Sequence, residues 1–258
     1  LNNELIGTHV FNFKAEKEKL SVTSKGYFKV KKLGIDLNNN QIKQFVVYYN
    51  LLEEWNKKIN LTSITEFRSV QIKHFLDSLA TFNSIPSILF NTGSLIDIGT
   101  GAGFPGIPLK IALPGLKLTL LESTKKKTYF LETVSKVLKL NSTTIINKRA
   151  EDLAHDINFR EKYDLATVRA VGKLAMISEL CLPFCKIGGK LLALKNPNIE
   201  YEIKNAEHAI NLLGGKLGKT KNIKLTENKI TSLIEVFKQK QTNNKYPRKP
   251  GIPKKYPL

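Results

Sequence analysis

The stretch from Asp97 to Gly106, DIGTGAGFPG, has residue types that can hold a ligand through the main chain. Glycines at 99, 101 and 103 allow positive φ and let a ligand approach the backbone closely. Two readings share these residues. Gly101, Gly103 and Gly106 spell GxGxxG, in which N–H groups at a helix start meet a dinucleotide pyrophosphate. Asp97, Gly99, Gly101 and Gly103 spell DxGxGxG, a pattern that holds S-adenosylmethionine in another class of enzyme. A carboxylate at position 97 repels a pyrophosphate but suits an ammonium or sulfonium group. Pro105 removes a backbone donor where the helix begins. Glu122 lies 19 residues after Gly103, where a carboxylate can accept both hydroxyls of a ribose, and it serves either ligand. The balance favours S-adenosylmethionine.

Other side chains carry plainer alternatives. Arg149 and Arg169 stand out in a chain whose cations are mostly lysine, and a planar bidentate donor explains arginine at such positions. An ordinary salt bridge near the sheet edge is the competing explanation. His74 and Asp77 lie i, i+3 on one helical face. They read first as a local polar pair that sets a helix against the sheet, and second as a contact to cofactor or RNA. Lys125, Lys126 and Lys127 open a helix and read as a solvated face, with phosphate contact second. Trp55, Tyr48 and Tyr49 read as helix-packing core. Cys181 and Cys185 read as small core residues in a reducing compartment, on one face of a helix over 173–185. Neither a general base nor a cysteine nucleophile is evident, and no set of metal ligands is spaced for a site.

The elements that must position these residues follow from periodicity. A helix capped by Asn38 or Asn39 carries Ile42, Phe45, Tyr49 and Leu52 at helical spacing. A second helix over about 67–82 presents Ile72, Phe75, Leu76 and Leu79. From Leu95 strands and helices alternate: strands at 95–99, 117–122, 143–147, 163–168, 190–195 and 231–238, helices between most of them. Alternating βα units imply an α/β fold, a parallel sheet with helices on both faces. The glycine turn then lies at the carboxyl end of the first strand, at a topological switch point. The organisation expected is a loosely ordered lead-in over 1–34, a helical segment over 35–90, a ligand-binding domain over 91–239 and a basic tail over 240–258.

Composition bounds the partners. The chain has 258 residues and a formal net charge of +19, which favours polyanions such as nucleic acid. Only five of the 41 cations are arginine, a lysine-rich mix that genome composition alone can produce. Twelve basic residues against two acids, Glu227 and Glu235, follow from Lys216 onward. The tail reads either as a solvated segment without a core or as an arm for phosphate backbone. No apolar run is long enough to span a bilayer and no signal-peptide pattern opens the chain, so a cytoplasmic monomer is expected.

The full string DIGTGAGFPGIPL resembles the cofactor loop of the glucose-inhibited-division-B (GidB) family, the small-subunit rRNA guanine-N7 methyltransferases also called RsmG. The likeness continues in LGIDLNNNQIKQF, EEWNKKINLTSIT, HFLDS, LLES, KRAED, TVRAVGKL and YPRKPGIPKKYPL, in order from about Leu33 to the C-terminus. The resemblance implies a Rossmann-like class I S-adenosylmethionine-dependent methyltransferase, with a mostly parallel seven-stranded sheet and a small N-terminal helical extension. It implies that Gly99 and Phe104 line the cofactor loop, that Glu122, Ser123 and Thr124 meet the ribose edge, and that Ala150 and Glu151 flank the adenine. Arg169 is implied beside the cofactor or target, orienting one of them. The substrate implied is 16S rRNA, free, in the small subunit or in an assembly intermediate. Asn196 departs from the family's usual LKG after the fifth strand, and Gly101-Ala102-Gly103 stands for its common Gly-Pro-Gly. The alternatives are a nicotinamide-dependent oxidoreductase, a non-catalytic RNA-binding assembly factor, and a methyltransferase for another RNA position.

Overall fold

The computed structural model describes Val30, residues 33–169 and residues 172–258. The expected lead-in over 1–34 lies outside the described residues, apart from Val30, Leu33 and Gly34. So do Ala170 and Val171 of the TVRAVGKL motif.

Seven strands form one sheet: β1 (Ser94–Ile98), β2 (Lys117–Leu121), β3 (Thr143–Ile146), β4 (Tyr163–Arg169), β5 (Cys185–Lys195), β6 (Gly215–Thr226) and β7 (Lys229–Lys238). Their order is β3-β2-β1-β4-β5-β7-β6. The pairs from β3 through β5 are parallel, while β7 is antiparallel to both β5 and β6. The order reverses at β1 and β4, where Asp97 is level with Thr167. A crevice at the carboxyl ends of these two strands is where open α/β sheets bind ligands.

The helices are α1 (Asn39–Asn56), α2 (67–79), α3 (Gly106–Ala112), α4 (Lys125–Val137), α5 (Ala150–Leu153), α6 (Leu174–Cys181), α7 (Glu200–Leu212) and α8 (Ile252–Lys255). They divide the core in two. One apolar cluster joins α1, α2, α3 and α4 to one sheet face, and the other joins α5, α6 and α7 to the opposite face. The first runs without a break from Phe45 and Leu52 to Leu109 and Phe130, so the N-terminal helices and the sheet share one interior.

Helix α1 is fixed by hydrogen bonds as well as by burial. Asn38 and Gln41 form a reciprocal capping box, with N···O distances of 2.9 and 3.0 Å. The Gln41 amide also donates to the Ile111 and Ala112 carbonyls at the end of α3, and Gln44 donates to the Leu138 carbonyl after α4. Terminal carbonyls of two helices, which have no partner within their own helix, are thus satisfied by a third. Tyr48, fully buried, donates its phenol proton to the Ala102 carbonyl in the glycine turn. The tyrosine ring packs among Phe75, Phe104 and Phe130, as core.

Three features differ from the sequence reading. The helix expected over 173–185 ends at Cys181, because Pro183 has no N–H and its ring would clash within a helix. Cys185 therefore opens β5, with its thiol 3.7 Å from the Cys181 carbonyl, and both cysteines are buried and free. Strand β6 was not expected. It is a lysine-bearing edge strand, paired on one side only, and lacks the apolar alternation that marks a two-sided strand.

The third difference is the segment over 240–258, which is docked rather than solvated. Arg248 donates through its backbone N, Nε and Nη2 to the carboxylate of the fully buried Glu179, at 2.8, 2.9 and 2.6 Å. Arg160 donates to the Thr242 and Tyr246 carbonyls, and Lys238, fully buried, pairs with Glu161 at 3.1 Å. Tyr246 joins the second core cluster. Lys245, Lys249, Lys254 and Lys255 remain exposed. A segment with few apolar residues is held here by paired, hydrogen-bonded charge.

Tyr48→Phe keeps the ring packing and leaves the Ala102 carbonyl without its buried donor. A destabilisation of about 1–2 kcal/mol is expected, measurable by chemical denaturation, and an unchanged midpoint would remove the phenol from the anchoring of the turn.

Candidate active site

The site begins with a buried carboxylate. Asp97 is fully buried at the end of β1. Its Oδ2 accepts from the Thr100 hydroxyl at 2.6 Å and from the Gly106 N–H at 2.8 Å, while Oδ1 has no hydrogen-bond partner. Burial pushes the pKa of this group up to about 7, against the pull of its hydrogen bonds and of Arg169. A Cβ at residue 106 would lie 2.9 Å from Asp97 Oδ2 and 2.7 Å from Leu120, so glycine is required there by close packing. The Gly106 N–H is therefore committed to Asp97, and the third glycine of GxGxxG has no free donor for a pyrophosphate.

The turn above Asp97 is shaped by Gly99, Gly101 and Gly103, with φ of +64°, +61° and +98°. A Cβ at Gly101 would meet nothing within 4 Å, so open space lies over the middle of the turn. Glu122, nearly buried just beyond β2, fastens the turn from the side. Its Oε2 accepts from the Gly101 N–H at 3.0 Å and its Oε1 from the Thr124 N–H at 2.8 Å. Each oxygen keeps a lone pair for a further donor such as a ribose hydroxyl. Ser123 and Thr124 follow, both exposed. Asn147, at the end of β3, donates to the Glu122 carbonyl at 2.9 Å. Ala150 and Glu151, three and four residues further on, begin α5 on the same side. Arg149 is exposed just before them.

Arg169 ends β4 and is gripped by α2. Its Nη1 donates to the Lys73 carbonyl at 2.9 Å and lies 3.4 Å from Asp77 Oδ2, and its Nη2 lies 3.1 Å from His74 Nδ1. Nδ1 of His74 also lies 3.1 Å from the Lys73 carbonyl, and its Nε2 lies 2.8 Å from Thr62 Oγ1. Burial, helped by the charge of Arg169, lowers the His74 pKa to about 4, so the ring is neutral at pH 7. Phe104 of the glycine turn is stacked against the His74 ring at 4.6 Å, and the Arg169 guanidinium lies 4.8 Å from its centroid. Helix α2 widens into a π turn over Gln71–Leu76, immediately before Asp77. Such turns recur at functional positions.

A cleft of about 560 Å³ opens beside Arg169. Its walls include His74, Asp77, Asn196, Asn198 and Thr231, and Lys73, Lys195 and Lys229 supply positive charge. Lys195 is held by Glu202 at 2.7 Å. Asn198 adopts φ +66°, so the backbone path at the family departure, Asn196, turns through a left-handed residue.

The structure thus brings Gly99, Phe104, Glu122, Ser123, Thr124, Ala150, Glu151 and Arg169 to the carboxyl ends of adjacent strands. Sequence reasoning found His74 and Asp77 as a pair but not their common partner Arg169, more than ninety residues away. It also placed Tyr48 in the core without its bond to the turn. Among the described residues, no group of three His, Cys, Asp or Glu could hold a metal ion. The donor set fits a cationic ligand bearing a ribose: an orphaned buried carboxylate oxygen, a second carboxylate at the turn and open space over Gly101.

A family model described as rRNA small subunit methyltransferase G matches residues 41–231. A protein of that name from Alkaliphilus metalliredigens is 48% identical over 227 residues, covering 88% of this chain and 94% of the relative. Another from Staphylococcus epidermidis is 47% identical over 234 residues, covering 89% and 95%. Among solved structures, a chain in the complex of the Haloferax volcanii Trm112 methyltransferase activator aligns with a TM-score of 0.53 at 11% identity, over 73% of this chain and 97% of that one, a likeness of fold. No helix among the described residues is long and apolar enough to cross a membrane. With more than two thirds of its length matched, the chain belongs to the GidB family, rRNA small subunit methyltransferase G.

Proposed function

We propose that this chain transfers a methyl group from S-adenosylmethionine to N7 of a guanine in 16S rRNA. It acts as a cytoplasmic monomer on the small subunit or an assembly intermediate of it. The observation that carries this reading is the pairing of the Asp97–Glu122 turn with an Arg169-lined cleft at the switch point of the sheet.

When bound, the cofactor supplies an electrophilic methyl on a sulfonium, which the in-plane lone pair of guanine N7 attacks without prior deprotonation. The protein's task is then binding, orientation and exclusion of water. Gly99 and Gly101 let the ligand lie against the main chain, Gly103 makes room for Ile107 and Tyr48, and Phe104 walls the turn. Asp97 offers its unpartnered oxygen to cationic charge. Glu122 accepts from the ribose, with Ser123 and Thr124 at the same edge, and Ala150 and Glu151 flank the adenine. Arg169, locked by His74, Asp77 and the Lys73 carbonyl, orients the target base or the methionine carboxylate. No side chain need act as nucleophile. Cys181 and Cys185 lie in the core with their thiols raised by burial, Cys185 to about 12.

Three outcomes test this reading. Glu122→Ala weakens S-adenosylmethionine binding by about tenfold or more in calorimetry, since charge-assisted bonds to the ligand and turn are lost. Equal affinity would sink the ribose assignment. Arg169→Ala lowers turnover about a hundredfold with the fold intact, and unchanged turnover would remove it from the site. Turnover is measured as labelled methyl transferred to small subunits from cells lacking the enzyme and mapped by N7-specific chain cleavage. The third outcome concerns pH. Asp97 is protonated in the free protein below about pH 7 and must ionise to meet a cation, so cofactor affinity rises with pH up to about 7 and then levels. Asp97→Asn flattens this dependence.

A further inference from the structure

Residues beyond β7 contribute nothing to the chemistry above, yet they touch its cofactor side at one point. The Gly251 N–H donates to Glu151 Oε1 at 3.2 Å. Glu151 is nearly buried, and its Oε2 has no hydrogen-bond partner among the described residues. The contact is held from behind. Three residues before Gly251, Arg248 saturates Glu179, and it also donates to the Tyr256 carbonyl at 2.7 Å. On the other side, the Pro247 carbonyl lies 2.8 Å from Nε2 of His155, two residues beyond α5.

We propose that residues 242–256 form a positioning strap for the adenine end of the cofactor site, fixing Glu151 through the Gly251 N–H. The inference rests on the S-adenosylmethionine reading. A glutamate on a four-residue helix has several rotamers, and one backbone donor on Oε1 selects among them. In this scheme the remaining oxygen serves as a fixed acceptor, suited to the exocyclic amine of an adenine. The bonds to Glu179, Arg160 and His155 face inward and occupy main-chain groups of the strap. An arm serving only to reach along phosphate backbone needs none of them, whereas a strap that must hold one atom in place needs all. Arg248 and Gly251 are positioning residues in this scheme, acting on the ligand through Glu151. By linkage, the bound cofactor must in turn steady the strap.

The test uses the full-length chain with Arg248→Gln and Gly251→Ala. The second variant leaves the Arg248–Glu179 pair intact and keeps a backbone N–H, but alanine disfavours the φ of +87°, so the peptide relaxes and its donor swings off Glu151 Oε1; the added Cβ itself meets nothing within 4 Å. Thermal unfolding checks that each is folded. Calorimetric titration with S-adenosylmethionine and with adenosine is expected to show both ligands weakened by the same factor, about tenfold. Filter-binding affinity for 16S rRNA stays within twofold of wild type. S-adenosylmethionine is also expected to slow trypsin cleavage after Lys245 and Arg248 in the wild-type chain. Folded variants that bind both ligands as wild type does would overturn the strap, as would loss of rRNA affinity with cofactor affinity unchanged, which would mark a phosphate-binding arm. A wild-type chain that binds no S-adenosylmethionine would overturn the cofactor reading and the strap with it. That result is distinct from strap failure, in which wild type and variants bind alike.

Discussion

The burial of one carboxylate governs the site. Asp97 sits in the middle of the sheet at full burial, where an ionised group is costly unless its oxygens are paired. The chain meets half of that demand. Thr100 and Gly106 close back onto Oδ2, and this closure gives the turn its radius and sets where α3 begins. The other half, Oδ1, has no hydrogen-bond partner. The rest of the turn depends on this arrangement, because a loop wrapped around a buried charge must be held from its flanks. Glu122 holds it from β2 and Tyr48 from α1. Phe104 then passes its position to His74 and Arg169 through ring contacts.

Much of this was legible in the sequence because it is local. The capping residues of α1, the βα alternation, the glycine turn and Glu122 all lie within a few residues of the signals that mark them. Asp97 and Pro105 distinguished two glycine patterns by elementary charge and donor counting. What escaped was either long-range or masked by composition. Arg169 reads as an isolated cation until α2 is folded against it, and no spacing rule links it to His74. Strand β6 is written in lysines, so an edge that faces water on one side looks like a charged linker. The terminal segment looked unable to pack because its apolar content is low, but its anchors, Glu179, Glu161 and Glu151, lie far upstream. Composition alone counted the charges there without showing which of them turn inward.

The same distinction organises the net charge. Lys110 and Lys238 are buried and spend their protons on carbonyls and on Glu161. Lys190 and Lys221 converge on Glu235, which Ser84 also reaches. These cations brace the fold, tying β5, β6 and β7 to the segment after α2. Lys73 and Lys229 instead line the cleft beside Arg169, where a polyanion would meet them. A formal charge of +19 therefore overstates the surface available to a partner, and the placement of a few lysines carries more meaning than their number.

The π turn in α2 has a genetic reading. Its first residues follow a stretch whose Phe67 packs edge-on against Tyr49, while its last lead to the His74 and Asp77 contacts with Arg169. An ordinary helix advances about 100° per residue, so one residue more or less between these ends turns one against the other by that angle. The wider turn lets both ends keep their partners. Loss of a single codon between Phe67 and His74 would leave every hydrophobic residue in kind and number nearly unchanged. It would nonetheless force the helix to choose between its grip on α1 and its grip on Arg169.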